Sequence, residues 1–144
     1  MADTLKERLK ERPVFRNIHV TQIASYRLPA AGLVSILHRI SGALLFFMLP
    51  LLIWLFDTSV TSEISYGRFT SAFTTGIGFV PGLLIKLIVL ALIWSYLHHL
   101  IAGVRHLWMD ATHSVGNEFG RQSAVVTLGL GVLLTLALGY KLFF

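Results

Sequence analysis

"GLLIKLIVLALIWSYLHHLIAGVRHLWM", residues 82–109, is the stretch whose reading decides the fold. Before Arg105 its only formal charge is Lys86. A helix rises 1.5 Å per residue, so ~20 apolar residues cross the ~30 Å hydrocarbon core of a bilayer. The stretch therefore spans a membrane as a helix. Its last third nevertheless carries His98, His99, Arg105 and His106. Ionisable groups inside a span face a bundle interior or a functional site rather than lipid.

Working outward, two more apolar segments are long enough to cross, about residues 29–56 and 123–142. Pro29 and Pro81 stand at helix starts, where a missing N–H costs little, whereas Pro50 falls inside the first span and is expected to bend it. The polar linker between the first two spans has room for a short surface helix. The connection between the second and third is tight. At 55% hydrophobic and 13% charged, the chain of 144 residues cannot clothe a soluble domain. The expected fold is an all-α membrane protein: an N-terminal segment, residues 1–28, and a three-helix transmembrane domain, residues 29–144.

Charge sets the orientation. Seven Lys and Arg residues precede position 40, while the first loop has only Arg68. The positive-inside rule then puts the N-terminus and the second loop in the cytoplasm and the C-terminus outside. The net charge of +5 is concentrated at that end, so it reads as an orientation signal and not as a nucleic-acid surface. Residues 1–19 mix both signs with no apolar run behind them, unlike a cleaved signal peptide. There is no cysteine, which excludes disulfides and thiolate-held metal or iron–sulfur centres in this chain.

On a helical wheel Ser95, His99, Gly103, His106 and Asp110 share a stripe of roughly 80°, while His98 and Arg105 point elsewhere, His98 as a bystander and Arg105 as an interfacial anchor. A deep imidazole beside a glycine suits a flat macrocycle, with nitrogen for the iron and a bare backbone for the ring. The plainer alternative is a histidine that only hydrogen-bonds to the next helix. His99 and His106 are seven residues apart, ~10.5 Å along the helix, so they cannot hold one iron. No second deep histidine stands on another span, and a second axial ligand would come from another subunit. In "SILHRISG", residues 35–42, Ser35, His38, Arg39 and Gly42 share a face. Arg39 suits simple snorkelling at the membrane edge. It equally suits, with His38 and His106, the pairing of haem propionates. Ser35 and Arg39 are donors fit for a quinone carbonyl. Trp54, Trp94 and Trp108 read as packing or interfacial residues, and Gly129 and Gly131 as sites of close helix contact.

"SILHRISG" and "HLIAGVRHLWMD" (residues 99–110), with "RP" at Arg12–Pro13 and "YRLP" at Tyr26–Pro29, closely resemble the signature segments of the cytochrome b anchor of succinate dehydrogenase, respiratory complex II. The resemblance covers about residues 12–142. It implies a haem b shared with a second membrane anchor, with His99 as this chain's axial ligand. It implies a ubiquinone site at Ser35 and Arg39, with His38 and Arg39 near the propionates. Gly103 and His106 complete the expected haem pocket. It also implies an iron–sulfur subunit and a flavoprotein docked on the cytoplasmic face of a bacterial inner membrane. Succinate chemistry would belong to those partners. The alternatives are the anchor of a menaquinol-oxidising fumarate reductase, and a haem-free anchor or assembly protein whose histidines only pack helices.

Overall fold

The computed structural model describes residues 19–144. Most of the expected 1–28 segment, and the Arg12–Pro13 pair, lie outside the described residues. The described chain is helical: α1 (Val20–Ser25), α2 (Ala30–Phe47), α3 (Leu49–Val60), α4 (Glu63–Thr74), α5 (Gly82–Thr112) and α6 (Asn117–Phe143). Three of these, α2, α5 and α6, are long and apolar enough to cross a membrane. They pack on one another as a three-helix unit.

The first span is not one unbroken helix. It pauses at Met48 (φ −88°, ψ 0°), and Pro50 occupies the first turn of α3. Proline has no N–H to return to the turn before it, so the ladder breaks where Pro50 demands it. The consequence is a change of partner: α3 packs on α4, and α4 on α5, while α2 lies directly against α5. An apolar groove lined by Leu45, Leu52, Leu92, Tyr96 and Leu138 opens beside the break.

The expected surface helix is α4. Ser62 caps it by accepting from the Ser65 backbone N–H, and the Ser65 hydroxyl reciprocates on the Ser62 backbone. The turn that follows returns through Gly76 at φ +102° to Gly82, where a Cβ would meet the Phe73 carbonyl oxygen at 2.6 Å. Spans two and three both run past their expected ends, to Thr112 and back to Asn117, because polar residues of the connection extend the helices.

Burial is inverted relative to a soluble domain. Small and polar side chains fill the helix contacts: Ser41, Ser95, Ala102, Ala124, Thr127, Gly131 and Thr135 are buried, while many Leu, Val and Phe side chains face outward. In lipid, burying apolar surface offers no advantage over leaving it in the tails. Close backbone packing drives association instead, and small residues permit it. The contact face of α6 repeats at Ala124, Thr127, Gly131, Thr135 and Gly139. Gly131 thus fits the expected close contact. Gly129 does not, since a Cβ there would meet nothing within 4 Å.

Candidate functional site

The two motifs meet across the α2–α5 contact. Ser41 is wholly buried, and Gly42 beside it has no side chain to hold α5 away. A Cβ at position 42 would lie 2.8 Å from His99 Cε1 and 3.2 Å from its Nδ1. The imidazole of His99 therefore rests on bare backbone. Gly103, expected to give a macrocycle clearance, is not crowded by this chain: a Cβ there would sit 3.6 Å from His38 Nε2, an ordinary contact.

His99 is held by one atom. Its Nδ1 lies 3.0 Å from the His38 carbonyl oxygen, and since a carbonyl only accepts, Nδ1 carries the proton. The Ser41 hydroxyl donates to the same carbonyl at 2.9 Å and stands 3.4 Å from Nδ1. With Nδ1 protonated, the Nε2 lone pair is the ring's ligating electron pair. Metal-binding histidines as a rule donate their other ring N–H to an acceptor in this way, which fixes tautomer and ring orientation. The donor set fits a haem iron taking one axial nitrogen from this chain.

The other histidines of the stripe pack beside it. His38 stacks on His99 with ring centroids 4.2 Å apart and planes at 22°, and tilts against His106 at 5.3 Å and 42°. Lone pairs of an imidazole lie in the ring plane, so two stacked rings cannot both aim at an iron between them. Among the described residues no group of three or more metal-ligating side chains forms a site. Of the remaining stripe, Ser95 is buried with its hydroxyl on the Ala91 carbonyl at 2.8 Å, and Asp110 is exposed.

Ser35 and Arg39 lie one turn apart on α2. Ser35 is half-buried and Arg39 exposed. Among the described residues neither side chain makes a hydrogen bond or ion pair within the chain. The convergence expected of His38, Arg39 and His106 is realised for the two histidines.

Comparison with known proteins adds the family. The profile of the succinate dehydrogenase/fumarate reductase transmembrane subunit matches residues 8–138. The chain belongs to that family. It is 30% identical over 109 residues to the succinate dehydrogenase cytochrome b556 subunit of Paracoccus denitrificans, covering 76% of this chain and 78% of that one. The b556 subunit of Coxiella burnetii is 33% identical, with 79% and 82% covered. The cytochrome b560 subunit of Reclinomonas americana is 34% identical, with 77% and 76% covered. This chain is thus a transmembrane subunit of the succinate dehydrogenase type.

Two features of this family member were not foreseen from its sequence. His98, read as a bystander, is among the most buried side chains, 1% exposed. It stacks on Trp94 with centroids 5.3 Å apart, lies 3.8 Å from the place a Gly131 Cβ would take, and among the described residues leaves its Nε2 without a partner. Arg105, read as an interfacial anchor, is buried instead. Its Nε donates to Ser123 Oγ at 2.9 Å and an Nη2 hydrogen to the Gly120 carbonyl at 3.1 Å. The wheel did place both residues away from the His99 stripe. What it lacked was the third helix, whose Gly131 and Ser123 face them.

Proposed function

We propose that this chain is the haem b-binding membrane anchor of a succinate:quinone oxidoreductase, working in the inner membrane of a bacterium with its N-terminus in the cytoplasm. Electrons from succinate, taken by a flavoprotein and passed through an iron–sulfur subunit, reach ubiquinone beside this chain. The observation that carries the reading is His99 Nδ1 held 3.0 Å from the His38 carbonyl, with Nε2 left to ligate. The relatives' names as cytochrome b subunits support the same cofactor.

Haem b, when bound, supplies a one-electron carrier close to the quinone. The protein's part is to fix the ligand and to place charge. The His38 carbonyl keeps the His99 proton on Nδ1, and Gly42 lets the ring sit against α2. The second axial ligand comes from the partner anchor, since His38 is stacked on His99 and His106 is a helical step of ~10.5 Å away. Arg39, His38 and His106 provide donors for the propionates.

Ser35 and Arg39 form this chain's share of the quinone site. A hydroxyl and a guanidinium one turn apart donate to a quinone carbonyl, and their bonds strengthen as negative charge develops on its oxygen. Those bonds offset the charge that reduction places on the quinone oxygen. The partner subunits close the rest of the pocket.

The deciding experiment is a reduced-minus-oxidised spectrum of the purified complex, wild type against His99→Ala. The wild type shows b-type bands and the variant loses or shifts them while the anchor still assembles. Unchanged bands would remove His99 as the ligand, and a wild-type complex without them would favour the haem-free anchor.

A further inference from the structure

One buried cation is not used by the histidine cluster. Arg105 is only 9% exposed, yet among the described residues no carboxylate lies within ion-pair distance of it; the one ion pair found there joins Arg121 to Glu118. A guanidinium has five N–H donors, and two are satisfied by Ser123 and Gly120. Three remain, together with the full positive charge. A charge taken from water without a counter-ion is strongly unfavourable, so an anion is expected beside it.

The place for that anion is visible. Arg105 borders a groove of about 430 Å³ between α5 and α6. At its mouth, toward the connection of the two helices, stands Trp108; deeper than Arg105 the walls are Ile101, Val104 and Val126. From Trp108 to Ile101 the groove runs roughly 10 Å along the helix. A soluble anion has no use for its apolar depth, whereas a headgroup carrying a tail uses both the cation and the aliphatic walls. On the other side of the Val126 ridge a second groove, about 570 Å³, carries Arg121.

We propose that the α5–α6 groove binds an anionic phospholipid, its phosphate on the Arg105 guanidinium and an acyl chain along Ile101, Val104 and Val126. The order of groups matches the depth profile of a lipid. An aromatic residue lies at the interface, a cation at phosphate level and branched aliphatics below. Guanidinium and phosphate pair through parallel hydrogen bonds, which suits a head that must be held while its tail remains fluid. This site is separate from the haem and quinone reading and stands without it.

The test uses the whole complex, delipidated in detergent and titrated with phosphatidylglycerol, with bound lipid counted by native mass spectrometry. Arg105→Gln should weaken binding about tenfold or more, the loss of a charged hydrogen bond. Val126→Trp, which fills the groove from its exposed rim and leaves Arg105 tied to Ser123 and Gly120, should weaken it similarly. Should Arg105→Gln fail to assemble, Val126→Trp decides. Equal phosphatidylglycerol binding by wild type and the assembled variants overturns the proposal. So does phosphatidylcholine binding as tightly as phosphatidylglycerol. Displacement of the lipid by inorganic phosphate alone would reassign Arg105 to a free anion. A cross-link from position 104 to a partner subunit, in place of lipid, would assign the groove to protein.

Discussion

Gly42 and His99 are in contact across the α2–α5 interface so closely that one methyl group would not fit: a Cβ on Gly42 would lie 2.8 Å from His99 Cε1. The ring has no easy retreat, because its Nδ1 is bonded to the His38 carbonyl and His38 stacks on its face. Gly42→Ala should therefore displace the imidazole. Overpacking of this kind costs about 1–3 kcal/mol. Haem content per assembled complex should fall, or the b-type bands shift. Spectra of the variant normalised to protein check it; unchanged bands and content would show that the imidazole does not depend on that bare backbone.

A second expectation concerns electron delivery. Ser35 and Arg39 have no hydrogen-bonding duty inside the chain among the described residues, so their removal should leave its fold intact. Arg39→Ala should lower the rate of quinone reduction by about 10²-fold or more, the usual effect of deleting a donor aimed at a developing oxyanion. Succinate oxidation by an artificial acceptor should persist. Parallel loss of both activities would mark Arg39 as an assembly residue.

His98 offers a stability prediction. Its Nε2 is buried without a partner, and its ring is stacked on Trp94. Removing a buried nitrogen that has no partner relieves its desolvation cost, which offsets the loss of the ring's contact with the Val34 backbone. His98→Phe should thus keep the haem spectrum and leave the melting temperature of the complex equal or higher. A loss of haem would show that His98, and not only His99, serves the cofactor.

Why was so much of this legible beforehand? The membrane class and three spans followed from long apolar runs, because lipid tolerates few alternatives to a helix. The helical period alone put His99, Gly103 and His106 together, and the α2 contact agrees. Pro50 announced a disturbance, but its effect, α3 leaving α5 for α4, depends on a tertiary contact that no local signal carries. The same holds for Gly42. It was seen on the motif face, yet its role needs the position of His99 on another helix. Arg105 was misread because a basic residue near a span end ordinarily snorkels. Only the start of α6, with Ser123 and the Gly120 carbonyl within reach, gives it a reason to turn inward.

That inward turn supports a last prediction. Arg105 fastens α5 to the first turns of α6 through two hydrogen bonds from a planar fork. Lysine carries the charge but cannot place donors at both Ser123 and Gly120 with the same geometry. Arg105→Lys should destabilise the anchor by about 1–3 kcal/mol, and Ser123→Ala, which removes a single acceptor, by about 1 kcal/mol. Because the two residues share one bond, their effects should not add: the double variant should melt close to Arg105→Lys alone. Thermal denaturation of the four assembled complexes gives the cycle. Full additivity would show that the Arg105–Ser123 bond contributes nothing to holding the two helices together.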